Sequence, residues 1–217
     1  MPKKYYAVAV GHKTGIFEDW PTCQAQTNGY SSAVYKSFKT KQEAENYLQQ
    51  FAKPTDINYD YQIYTDGSFA EGKMGYGYVM INQQETIIKQ EAGPVASISK
   101  DRDSNNVAEI TAINKALEFI YNNSNRPLSI LIKTDSNYSL QQIAMLKAKC
   151  LELGWLNWEQ QFKNTLNFDL LKISAWYIFN LQVKQVNIYF EHVDAHCGIT
   201  FNVLADSLAD EGRLHPT

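Results

Sequence analysis

Apolar and polar positions follow two periods along this chain, and the switches between them mark its elements. From Tyr5 to Val10 the pattern is strand-like, and Gly11 to Gly15 forms a turn with glycine at both ends. Asp19 suits a helix cap and Pro21 the first helical turn, while Asn28-Gly29 ends that helix. Ala33 to Phe38 returns as a strand. Thr40 and Glu43 have capping-box spacing and open a helix to about Phe51. The order strand, strand, helix, strand, helix describes a small unit over residues 1–52. The polar stretch from Lys53 to Asn58 reads as part of a linker at 53–60, before a larger unit at 61–217.

In the larger unit Tyr61 to Thr65 reads as a strand ending at Asp66-Gly67-Ser68. Gly75 to Ile81 and Glu85 to Glu91 follow as an antiparallel pair. Ile110, Ile113, Leu117 and Ile120 recur at helical spacing, which predicts an amphipathic helix over 106–122. Leu128 to Thr134 is a strand that runs into Asp135-Ser136. Helical segments fill 137–181, Val186 to His192 is a strand, and Phe201, Leu204, Ala205, Leu208 and Ala209 define a last helix. Strands that come first together and later alternate with helices indicate an α/β class, a mixed sheet with helices on its faces.

Composition narrows this little. Apolar residues are 44% and charged residues 20% of 217, enough for a buried core. No run approaches the roughly 20 apolar residues of a membrane helix, and the N-terminus lacks a signal-peptide core. Three scattered cysteines argue against a disulfide framework or zinc cluster and for a reducing, cytoplasmic setting. The net charge is −3. Residues 1–52 carry six lysines against four acids and the remainder fourteen basic residues against nineteen acids, so no strong basic footprint advertises nucleic acid.

The chemistry rests on four acids. Asp66 and Asp135 stand at the ends of predicted strands, where ligands of α/β sheets collect. Glu109 and Asp206 flank the apolar stripes of two helices that pack on that sheet. Taken singly, each is an ordinary turn, cap or solvated residue. Together they can converge, and close carboxylates repel unless a cation sits among them. Hard oxygen donors suit Mg²⁺ or Mn²⁺, and a pair of such ions suits phosphodiester hydrolysis.

These residues resemble the cellular type 1 ribonuclease H family. Tyr64-Thr65-Asp66-Gly67-Ser68 is similar to its opening strand motif, and Asn105-Asn106-Val107-Ala108-Glu109 to its Asn-rich turn and helical Glu. Lys133-Thr134-Asp135-Ser136 is similar to its third ligand strand. His196-Cys197-Gly198, with Asn202 and then Asp206 ten residues after the His, is similar to its catalytic loop and fourth acid. The resemblance implies a ribonuclease H-like mixed five-stranded sheet flanked by helices, with Asp66, Glu109, Asp135 and Asp206 holding two Mg²⁺ ions (Mn²⁺ as an alternative). It implies that His196 transfers protons or aids product release, and that the RNA strand of an RNA/DNA hybrid is cut without sequence preference to 5′-phosphate and 3′-hydroxyl ends.

The first unit resembles the hybrid-binding domain that precedes many such nucleases, through Tyr5 to Val8 and Gly11 to Phe17. There Trp20 and Tyr35 fall on stacking positions and Lys36 on a phosphate-contacting one, while Ser37 stands where a second Lys is common. Trp20 alternatively covers the small unit's core. Asn105 and Asn106 suit the RNA minor groove or a helix cap. Arg102, Ser104 and Asn167 match the family's DNA-phosphate pocket or are plain loop polarity. The segment 144–155 stands for the family's basic protrusion, with Lys147 and Lys149 its basic residues. No membrane and no obligatory protein partner is expected. Two other functions compete: a non-catalytic hybrid-binding protein, and a transposase- or resolvase-like DNA nuclease.

Overall fold

A computed structural model of the chain describes residues 3–30, 33–49, 57–99, 102–143, 146, 166–195 and 198–215. The chain separates into two compact units, Met1–Pro54 and Thr55–Thr217.

The first unit is a three-stranded antiparallel sheet with two helices. Strands β1 (Tyr5–Val10), β2 (Gly15–Phe17) and β3 (Val34–Phe38) lie in the order β2-β1-β3. Helix α1 (Trp20–Thr27) starts where expected. The Asp19 carboxylate accepts from the Thr22 amide at 2.8 Å, and Pro21 lies in the first turn, a cap that contributes about 1 kcal/mol. Helix α2 (Lys41–Gln49) opens on a reciprocal box: the Glu43 amide donates to Thr40 Oγ1 at 3.2 Å, and the Thr40 amide to Glu43 Oε2 at 3.1 Å.

The second unit holds a five-stranded sheet. Its strands are β4 (Tyr61–Ala70), β5 (Lys73–Asn82), β6 (Ile87–Val95), β7 (Leu128–Thr134) and β8 (Val186–His192), in the order β6-β5-β4-β7-β8. The first three are antiparallel; β7 joins β4 in parallel and β8 joins β7 in parallel. Helices α3 (Asn105–Asn123), α4 (Phe168–Val183) and α5 (Thr200–Leu214) cover the sheet, and residues 137–143 are also helical. On one face α3 and α4 bury Ile110, Ile113, Leu117, Leu171 and Leu181 against Ile63, Tyr78, Ile130 and Ile132. On the other, Ala205 and Leu208 of α5 pack on Tyr64, Val79 and Ile81.

The expected mixed sheet is present, with two differences that bear on the site. Strand β4 does not end at Asp66; it continues to Ala70. Gly67, which reads as a turn residue, is a contact residue instead: a Cβ there would lie 2.2 Å from the Glu109 amide nitrogen. Strand β6 runs from Ile87 to Val95, past Glu91 and through Gly93-Pro94. It is an edge strand, where proline is tolerated.

Candidate active site

The cleft forms where the sheet splits. Strands β4 and β7 are registered from Tyr61↔Ile130 to Tyr64↔Lys133, and their ladder stops there. Beyond that point β4 carries on beside β5, β7 carries on beside β8 to Thr134↔His192, and a crevice opens between them. Asp66 therefore enters the cleft from the middle of a strand, two residues past the last β4–β7 pair. Asp135 enters from the first residue after β7. Gly67 lets α3 lie directly on β4, which brings Glu109 to the same place. Gly77, opposite Asp66 in β5, does the same for α5, since a Cβ there would sit 2.4 Å from Ala205 O.

Asp66, Glu109 and Asp135 each offer one oxygen within 4.8 Å of the others. Asp206, on α5, lines the same cleft of about 330 Å³ together with Asn105, Ser68 and Ser136, but lies outside that tight triad. Burial is severe for the first two acids: Asp66 and Glu109 are each 7% exposed. Burial and then the Asp135 carboxylate push the Asp66 carboxyl up to about 7. Burial, then Asp66, then Asp135 hold Glu109 well above the ordinary carboxylate range. Glu109 Oε2 is buried without a hydrogen-bond partner among the described residues.

Such an arrangement fits a divalent cation. The donors are carboxylate oxygens alone, the choice of Mg²⁺ or Mn²⁺ over zinc. A cation would offset the repulsion among the acids and satisfy the orphaned oxygen, removing a burial penalty of several kcal/mol.

Around the acids the structure adds contacts that periodicity does not reveal. The Ser68 hydroxyl donates to Asp210 at 2.6 Å and accepts from Arg213 Nε at 2.9 Å, tying α5 to β4 beside Asp66. Only the i,i+3 spacing of Asp210 and Arg213 hints at it. Asn202 is buried in the first turn of α5, and its Nδ2 donates to Asp135 Oδ2 at 3.3 Å while its Oδ1 has no partner among the described residues. The reverse amide orientation would set oxygen against oxygen.

The remaining candidates disperse. His196, Lys147, Lys149 and most of 144–155 lie outside the described residues. Asn105 is exposed and lines the cleft, whereas Asn106 is half-buried. Neither is the helix cap, which is Ser104, in extended conformation at φ −166°. Arg102 is exposed in the preceding turn. Asn167 is buried at the cap of α4 in the left-handed region at φ 61°. Its Nδ2 donates to the Tyr138 hydroxyl at 3.3 Å, and its Oδ1 is buried without a partner among the described residues.

In the first unit Trp20 (38% exposed) and Tyr35 (45%) lie with ring centroids 5.7 Å apart, and Tyr6 is equally close to Trp20. Trp20 thus stands in a partly exposed aromatic group with Tyr6 and Tyr35. Lys36 follows Tyr35 and faces the other side of the pleat, with its Nζ 5.6 Å from the Phe38 ring centre.

Comparison with known proteins agrees with this geometry. Residues 58–213 match the family model described as RNase H, and residues 4–48 that described as Ribonuclease H1 N-terminal domain. Ribonuclease H1 of Mus musculus is 22% identical over 252 residues, covering 96% of this chain and 88% of the mouse protein. Ribonuclease H of Crithidia fasciculata is 50% identical over 48 residues, which are 22% of this chain and a tenth of that protein. Among solved structures, a foamy viral protease-reverse transcriptase in complex with RNA/DNA hybrid superposes with a TM-score of 0.52 at 22% identity. That match covers 75% of this chain and 21% of the viral one, a likeness of fold. With its larger unit matched over nearly its whole length, the chain belongs to the ribonuclease H family of enzymes and carries a Ribonuclease H1-type domain in front.

Proposed function

We propose that this chain hydrolyses the RNA strand of RNA/DNA hybrids, without sequence preference, at the cleft between β4 and β7. The observation that carries the reading is the Asp66, Glu109 and Asp135 triad, its first two acids buried, whose burial and mutual repulsion oppose a charge that a cation would offset. These three acids, with Asp206 beside them, hold two Mg²⁺ ions, with Mn²⁺ as a substitute. The ions supply activation of the attacking water and neutralisation of the leaving oxygen.

The protein's own groups do the rest. Asn105, at the cleft mouth, offers amide donors and an acceptor to the 2′-hydroxyl edge that distinguishes RNA from DNA, and Asn106 follows it. Arg102, Ser104 and Asn167 contact phosphates of the DNA strand. The water oxygen bonds to phosphorus as the 3′ oxygen leaves, and a proton delivered to that oxygen yields a 3′-hydroxyl and a 5′-phosphate. His196 serves that proton traffic or product release, and His196→Ala slows turnover by about 10- to 10³-fold with hybrid affinity retained. An unchanged rate would remove His196 from the mechanism. In the first unit Trp20 and Tyr35 stack on the hybrid and Lys36 meets phosphate. We place the enzyme in the cytoplasm, consistent with its scattered cysteines; no described helix is long and apolar enough to cross a membrane.

The test is incubation with Mg²⁺ and a labelled hybrid, double-stranded DNA or double-stranded RNA. Cleavage confined to the RNA strand of the hybrid is expected. Binding without cleavage would make the chain a non-catalytic hybrid-binding protein, and cleavage of double-stranded DNA a DNA nuclease; either overturns the proposal.

A further inference from the structure

Asp135 differs from the two acids it meets. Asp66 is held within a ten-residue strand and Glu109 within a nineteen-residue helix, so regular backbone hydrogen bonds fix both. Asp135 sits in the bend after β7, before the helical turn at 137, and no ladder includes it. Active groups on irregular backbone need outside support to stay within about 0.5 Å of working geometry.

Part of that support comes from β8. The β7–β8 pairing ends at Thr134↔His192, and the Val193 amide makes the last backbone bond, to Thr134 O at 3.1 Å. One residue further the His192 side chain takes over: its Nε2 lies 3.1 Å from Asp135 O. A carbonyl can only accept, so Nε2 carries the hydrogen. The ring's other nitrogen is 4.0 Å from the exposed Asp194 carboxylate, too far for a hydrogen bond. From α5, the Asn202 amide donates to the Asp135 carboxylate.

We propose that His192 is a positioning residue for the metal centre. By donating to Asp135 O it extends the β7–β8 ladder by one bond and holds the main chain of a ligand that no regular element secures. It touches neither substrate nor ion. The inference rests on the proposed metal site, whose Asp135 it orients.

The test compares full-length His192→Ala, His192→Phe and His192→Gln with the parent. Mg²⁺ binding is read by calorimetry, the metal-free melting temperature by circular dichroism, and kcat and KM on a labelled hybrid. Phe keeps a ring without a donor, and Gln offers an N–H from nearly the place of Nε2. Losing an outer support of a metal ligand weakens Mg²⁺ binding about tenfold in the Ala and Phe variants, while Gln stays within about twofold of the parent. The expected kcat falls in parallel with hybrid KM unchanged. Equal behaviour of Phe and Gln, or parental Mg²⁺ binding in all three, overturns the proposal. So does a metal-free melting temperature that falls in step with Mg²⁺ affinity, because His192 would then act through packing. Parent protein that neither binds Mg²⁺ nor cuts a hybrid would sink the metal-site reading itself; a parent that does both beside unaffected variants sinks only this one.

Discussion

The two units handle their candidate groups in opposite ways. The first unit displays Trp20 and Tyr35 on its surface, beside Tyr6, at little cost to folding. Scattered exposed apolar residues are normal on proteins, and aromatic rings need no partner to remain there. The second unit buries carboxylates beside one another, and its own fold opposes the charge that its chemistry needs. A binding surface can thus be lost with stability untouched, whereas changing the cleft must change stability as well as activity. The first kind of site is sensitive to area, and the second to charge.

The harshest way to break this contrast is Asp66→Asn. It keeps the shape, removes a buried charge that repels Asp135 and is expected to abolish hybrid cleavage. The metal-free melting temperature should hold or rise, since a repulsive term is gone. Near-parental cleavage would remove the carboxylates from the chemistry.

Next in size is the response to pH. Asp66 titrates near 7 in the folded protein against about 3.9 in an unfolded chain. Between those values the folded protein keeps a proton that the unfolded chain has released, so stability is fullest below about 4 and is lost as pH rises through about 7. Metal-free protein should therefore melt lower at pH 8 than at pH 5.5. Added Mg²⁺ should raise the melting temperature more at pH 8, where it need not displace a proton. An equal rise at both values would mean that the ion does not bind at Asp66.

Removing the first unit is milder. A fragment beginning near Thr55 should fold and cut hybrids but bind them more weakly. Every phosphate that is no longer neutralised flattens the slope of log affinity against log salt by roughly 0.9, and with Ser37 beside Lys36 a change of roughly one to two units is expected. Equal affinity of fragment and full chain at every salt concentration would assign the first unit another ligand. Smallest is Trp20→Ala: binding weakens by about 1–3 kcal/mol of stacking, with the salt slope unmoved because stacking carries no charge. A changed slope would show that Trp20 acts by placing a cation.

Much of this architecture was legible because local signals agree with the global fold. The helix expected over 106–122 occupies Asn105–Asn123, and Leu128–Thr134 and Val186–His192 are strands as patterned. The reading failed where a residue serves a distant element. Gly67 and Gly93-Pro94 look like breaks, yet Gly67 admits α3, and Gly93 lies under the Tyr76 ring and against Gly212. The four acids could be chosen, but not that Asp66, Glu109 and Asp135 approach within 4.8 Å while Asp206 lines the same cleft outside that triad. The contacts of Asn202 and His192 with Asp135 join residues 67 and 57 positions away, a separation that no local period records.

Gly67 carries a consequence for anyone who diversifies this protein. In a library randomised at 66–68, the middle position should tolerate the least, although its residue has no functional group. Any side chain there would meet the Glu109 amide at 2.2 Å and the Ala108 carbonyl carbon at 2.4 Å, and neither is a flexible tip that can swing aside. Selection for folding alone, with no nuclease assay applied, should therefore return glycine at 67 while admitting Asn at 66. Selection for cleavage should then restore Asp at 66, so that two adjacent positions answer to two separate screens.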